Sequence, residues 1–126
     1  IIQTDFLTVS PDENLEKLVD LISHSNQVIF AVVSAENDLL GIVHFNTIRE
    51  IIFNTYRVKY NKIKDVMLPL IEIITPDESM EMVMNKFEKS KMTYLPVLKN
   101  EKYYGFISKS IALEAYRTKL KAMTID

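Results

Sequence analysis

Sixty-five positions after Ser10-Pro11-Asp12-Glu13 the chain writes Thr75-Pro76-Asp77-Glu78, and the apolar skeleton that follows repeats with it. The same offset places Leu15 on Met80, Leu18 on Val83, Ile22 on Phe87 and Ser25 on Ser90. Val32 then meets Val97, and Glu36 meets Glu101. One residue is dropped in the next turn, after which Gly41 aligns with Gly105 and Glu50 with Glu114. A skeleton held in register this far is an internal duplication, so both copies must fold alike. Each copy has only about 50 residues, too few to enclose a comfortable core alone. Two copies related by a pseudo-twofold, packed through their sheets, would cover each other's open sheet faces.

Within each copy the pattern predicts β-α-β-β-α, an α/β (α+β) class. A leading strand is expected at Phe6–Val9 and Ile71–Ile74. Ser10 or Thr75 is expected to cap a helix, with Pro11 or Pro76 at its first position and Glu13 or Glu78 completing a capping box. The helices would bury Leu15, Leu18, Val19 and Ile22 in one copy, and Met80, Val83, Met84 and Phe87 in the other. Apolar strands follow at Val28–Val33 and Thr93–Leu98, then turns, then strands Leu39–His44 and Tyr103–Ser108. Each leads into a second helix, with stripes Ile48, Ile51, Ile52 and Ala112, Ala115, Tyr116. The expected organisation is residues 1–56 as the first module, 57–64 as a connector, and 65–126 as the second module with a C-terminal helix.

Chemistry has little to start from. The chain has no cysteine, which removes thiolate nucleophiles, disulfides and Cys-based metal sites. His24 and His44 are the only histidines, without metal-ligand spacing, so no metal is expected. His24 reads as a surface residue at a helix C-terminus. The carboxylates at 12, 13, 77 and 78 sit at matching helix starts and read as caps rather than an acid/base pair. Neither G-x-S-x-G nor a nucleophile–base arrangement occurs, so no catalytic residue and no enzyme activity are expected. A net charge of −2 gives no reason to expect nucleic acid. Tyr56, Arg57, Lys59 and Tyr60 make a short basic, aromatic stretch, read as an ordered linker or one docked on another domain. The start at Ile1 reads as the boundary of a fragment.

The order S/T-P-D/E, an apolar strand ending L-P-V, a turn and G-h-h-S/T resembles the CBS domain. The second copy carries it as Thr75-Pro76-Asp77-Glu78, Tyr94-Leu95-Pro96-Val97 and Gly105-Phe106-Ile107-Ser108, with Lys64-Asp65-Val66-Met67 ahead. The resemblance spans nearly the whole chain. Gly41-Ile42-Val43, Ile48 to Phe53, Ile63 to Met67, Tyr104 to Ser110 and Ala115-Tyr116-Arg117 are further similar to the CBS pairs of bacterial ClC-type chloride channels and transporters.

That resemblance implies a cytosolic regulatory domain that forms homodimers on the cytoplasmic face of the cell membrane, attached to a transmembrane transport domain of the same chain. A CBS pair of another transporter or of a metabolic enzyme, or a purely structural dimerisation module, is the alternative. It also implies a regulatory ligand, ATP, ADP or AMP, with no cofactor required. Ser108-Lys109-Ser110, where a strand turns into a helix, could hold an anion with amides, hydroxyl and ammonium; the plainer reading is that Ser108 caps the helix and Lys109 is solvated. The family pattern continues G-h-h-S/T-x-x-D, and the Asp grips ribose. Here Thr47 and Ile111 stand at that position, and His44 replaces the first copy's Ser/Thr. The expected contacts are Tyr94, Ser108 and Lys109 for base, ribose and phosphate, with Ile111 at the missing clamp. His44 and Thr47 form the poorer counterpart, where Phe45 replaces the lysine.

Overall fold

The computed structural model describes residues 1–124. They form two compact units of mixed α+β structure, each with a two-stranded antiparallel sheet. One unit runs from Phe6 to Leu70; the other joins Ile1–Asp5 to Ile71–Asp126. The unit boundaries thus fall at 5/6 and 70/71, and residues 57–64 lie inside the Phe6–Leu70 unit.

In that unit the elements are α1 (Leu15–Ser23), β1 (Ile29–Val33), β2 (Leu39–His44), α2 (Phe45–Ile48) and α3 (Thr55–Tyr60), with 3-10 turns at Ile51–Phe53 and Ile63–Asp65. Leu15 and Leu18 from α1 meet Phe30 and Val32 of β1, Val43 of β2, and Ile48 in one buried cluster. Ile63, from the expected connector, is fully buried in the same cluster. Its segment is strapped down by Ile63 N–H to the Glu13 carbonyl (2.8 Å) and Lys64 N–H to the Pro11 carbonyl (3.0 Å).

The other unit has α4 (Met80–Ser90), β3 (Tyr94–Lys99), β4 (Lys102–Ser108) and α5 (Lys109–Met123). Its core of Ile74, Val83, Phe87, Leu95, Val97, Ile107 and Ala112 falls on the repeat positions of the first. Pro96 sits mid-strand without breaking the pairing to β4. Its carbonyl accepts from Ile74 N–H (2.9 Å), so its missing N–H lies on that side. Both hairpins bulge at the same place, after Val32 and after Val97. Five residues separate the paired Val33 and Leu39, and four separate Leu98 and Tyr103, which locates the dropped residue. Asn100 and Glu101 both take positive φ (52° and 66°), the geometry of a tight hairpin turn.

Three expectations are corrected. The leading strands contract to single parallel bridges, Val9 to Val32 and Ile74 to Val97. Ser10 and Thr75 do not begin the helices. Pro11 and Pro76 instead occupy β-turns, closed by Glu13 N–H to the Ser10 carbonyl (3.3 Å) and Glu78 N–H to the Thr75 carbonyl (3.2 Å). The glutamates still reach back, Glu13 to Ser10 N–H (2.8 Å) and Glu78 to Thr75 N–H (2.7 Å), so half of each box survives. The caps are Asn14 and Ser79, four residues on, accepting from Glu16 and Met82 N–H. The second helices also differ: α2 breaks after one turn, whereas α5 runs for 15 residues.

Gly41 and Gly105 occupy equivalent positions, opposite Val32 and Val97. Beside each, the outer edge of the hairpin is closed by a two-bond main-chain bridge. Ile42 exchanges hydrogen bonds with Leu68 (3.1 and 2.7 Å), and Phe106 with Gln3 (2.9 and 2.8 Å). A Cβ on Gly105 would stand 2.3 Å from the Gln3 carbonyl oxygen; on Gly41 it would stand 2.8 Å from that of Leu68. Neither obstacle is a flexible side-chain end, so the bridging segment must move. Gly105→Ala is expected to destabilise the protein by about 1–3 kcal/mol, the usual cost of overpacking, and Gly41→Ala by less. Urea denaturation measures both, and a Gly105→Ala midpoint equal to wild type would contradict the account.

Candidate functional site

At the end of β4 the chain turns directly into α5, and Ser108 is the hinge. Its side chain is buried, its backbone is extended, and its Oγ accepts from Ile111 N–H at 3.2 Å. The capping role read from the sequence is therefore what this hydroxyl performs. Ser110 Oγ lies 3.4 Å away. Lys109 N–H donates to the Thr93 carbonyl at 2.8 Å, which pins the helix start to the residue before β3.

Thr93, Tyr94, Ser108, Lys109, Ser110 and Leu113 line a cavity of about 360 Å³ here. The Tyr94 ring stands edge-on to Phe106, with centroids 6.4 Å apart. Lys109 is half-buried and makes no ion pair among the described residues. The lining thus carries one cation, three hydroxyl-bearing side chains beside Tyr94, and no carboxylate. The α5 N-terminus adds partial positive charge. Chemically this suits an anion attached to a flat or apolar group.

The structure therefore brings Tyr94, Ser108 and Lys109 to one cavity. Ile111 does not line it: the side chain is 40% exposed, and only its amide takes part, in the cap. Ser110 belongs to the Ser108-Lys109-Ser110 stretch read from the sequence, whereas Thr93 and Leu113 were not anticipated. Leu113 lies four residues after Lys109, on the same helix face, so helical spacing carried that signal. Thr93 is placed by a main-chain bond that no side-chain pattern announces.

In the other unit, His44 takes the role of Ser108. It caps α2, with Nδ1 accepting from Asn46 N–H at 3.1 Å. Thr47 is exposed on the short helix that follows. His24 is exposed at the C-terminus of α1, with Nδ1 3.3 Å from Asp20.

The family profile described as the CBS domain matches residues 1–54 and again residues 63–118. The chain belongs to the CBS domain family, as a tandem pair. Solved CBS pairs agree in fold. The CBS domain of a bacterial CNNM/CorC family Mg2+ transporter, in complex with ATP, has a TM-score of 0.80 at 12% identity, covering 90% of this chain and 82% of the other. CBSX2 in complex with AMP has a TM-score of 0.76 at 18% identity, covering 93% and 91%. OpuCA of Staphylococcus aureus has a TM-score of 0.72 at 18% identity, covering 90% and 93%. No helix among the described residues of this CBS pair is long and apolar enough to cross a membrane.

The histidine cap puts a titratable group at the start of α2. Burial holds the His44 pKa below its ordinary 6.5, and a proton on Nδ1 would remove the acceptor that Asn46 N–H needs. A folded-state pKa below the unfolded value means the contribution is complete above 6.5 and is lost as pH falls through the folded value. Stability measured by urea denaturation from neutral to mildly acid pH should fall more steeply for wild type than for His44→Asn, whose cap does not titrate. Parallel profiles would exclude this role.

Proposed function

We propose that this CBS pair is a cytosolic regulatory module of a membrane transporter, and that it takes an adenine nucleotide weakly in the β4–α5 cavity. CBS pairs are regulatory modules, and two of the similar structures carry AMP or ATP. The observation that carries the reading is the convergence of Tyr94, Ser108 and Lys109 on one cavity. Tyr94 and Leu113 would face the base and sugar, and Lys109 with the α5 amides would face phosphate. A carboxylate for the ribose is missing from the lining, so affinity in the high-micromolar range is expected.

A ClC-type chloride channel or transporter is the parent we favour, on the sequence likeness of the second helix of each copy and of the stretch from Ile63 to Met67. The module would then lie on the cytoplasmic face of the membrane, pair with its copy in the partner subunit, and couple nucleotide occupancy to transport. A purely structural dimerisation module is the second reading. It is favoured by the engagement of the Ser108 hydroxyl in its own helix cap.

Calorimetry with ATP, ADP and AMP separates the two. The Lys109 ammonium makes no hydrogen bond or ion pair among the described residues, so Lys109→Ala isolates ligand contact from stability. That substitution is expected to weaken ATP about tenfold or more, the worth of one charge-assisted hydrogen bond. Unchanged affinity would remove the site assignment, and no heat at millimolar nucleotide would leave the structural module. Light scattering is expected to give the mass of two chains at sub-millimolar protein, and a single-chain mass throughout would contradict the homodimer.

A further inference from the structure

The stretch that joins α2 to the end of the first copy has a surface unlike the rest of the CBS pair. Phe53 is 86% exposed, Tyr56 72% and Tyr60 61%. They stand on an anchored scaffold: Ile51, Ile52 and Val58 pack against the core, and Asn54 caps α3 by accepting from Arg57 N–H at 3.1 Å. The rings are therefore held outward by packing beneath them. Tyr56 and Tyr60, one helical turn apart, lean on each other with centroids 4.7 Å apart.

The charges around them are one-sided. From Arg49 to Lys64 the chain has five cations and one carboxylate, Glu50, although its net charge is −2. Arg49, Arg57, Lys59 and Lys62 are exposed. Lys64 is engaged by Asp12 at 3.3 Å, and the Lys59 ammonium lies 5.6 Å from the Tyr60 ring centre.

We propose that the Phe53–Tyr60 surface is a peripheral membrane-docking patch that seats on an anionic bilayer. A phenyl ring that enters the acyl boundary, two tyrosines with apolar bodies and polar tips, and flanking cations together match the chemistry of a lipid interface. Anionic headgroups supply a charge complement for Arg49, Arg57, Lys59 and Lys62, which make no ion pair among the described residues. A second copy of the chain fits poorly, because a symmetric contact through this patch would bring two equally cationic surfaces together. A single-stranded nucleic acid fits less well too, since Tyr56 and Tyr60 lean on each other at 44° and do not present a parallel pair of stacking platforms. This inference is independent of whether a nucleotide binds near Ser108.

Co-sedimentation with vesicles tests it. The protein is expected to partition onto phosphatidylcholine vesicles containing about 30% phosphatidylglycerol and not onto pure phosphatidylcholine, and to be released as salt rises from about 50 to about 500 mM. Lys59→Gln with Lys62→Gln should weaken partitioning about fivefold per charge removed. Phe53→Ser alone, and together with Tyr56→Ser and Tyr60→Ser, should weaken it tenfold or more, with thermal unfolding showing each variant folded. Equal binding to neutral vesicles, aromatic variants that bind like wild type, no partitioning at millimolar anionic lipid, or tighter capture by a single-stranded oligonucleotide would each overturn the proposal.

Discussion

Two main-chain bridges across bare glycine backbones close the outer edges of the two hairpins, and the rest of the fold depends on them. A hairpin alone presents a row of unpaired amides and carbonyls at its edge. Leu68 satisfies that edge beside Gly41, and Gln3 satisfies it beside Gly105. Positions 3 and 68 stand 65 apart, so they are one position of the repeat. Yet Gln3, which leads the first copy in sequence, belongs to the compact unit of the second, and Leu68, which leads the second, belongs to that of the first. Each copy thus completes its sheet with a residue from the other. Duplication is then a requirement of the fold, and a single copy would carry an open edge and a core of marginal size.

On this shared frame the copies diverge at one junction, the strand-to-helix turn. In the second copy a small buried serine caps α5, and 15 residues of helix follow, with Lys109 and Leu113 on one face. In the first copy histidine makes the same cap, phenylalanine replaces the lysine, and the helix stops at Ile48. The chain then turns through Phe53 into α3. Divergence has left a cavity lined by a lysine and three hydroxyl-bearing side chains in one copy and an aromatic, cationic surface in the other. Lys109 and Ser110 in one copy, and Phe53, Tyr56 and Tyr60 in the other, lie outside the buried core, which is how they could change without loss of it.

Much of the fold was legible because burial imposes periodicity. Val32, Val97 and the α1 and α4 stripes follow from spacing alone, and β2 was placed to the residue. The capping boxes misled because proline fits a β-turn as well as a helix start, and only main-chain geometry distinguishes them. The leading strands contracted because Val9 and Ile74 each pair through one residue, and apolar composition does not report pairing length. Of the site, Ser108, Lys109 and Tyr94 could be read because motif and chemistry coincide there. Ile111 was placed there by motif position alone, and its side chain lies outside the cavity lining. The bridge at Gln3 was illegible: a polar residue outside any apolar run gives no sign that its backbone closes a distant strand.

Native-state hydrogen exchange tests the dependence on those bridges most directly, because it reads the free energy that opens each bridging amide separately. If the exchanged bridges hold the fold, the amides of Gln3, Phe106, Ile42 and Leu68 will exchange only through global unfolding, with the same free energy as the core amides of Val32 and Val97. Exchange of Gln3 and Leu68 at rates close to those of an unfolded peptide, while Val32 and Val97 stay protected, would show that the hairpins stand without them and would contradict the account.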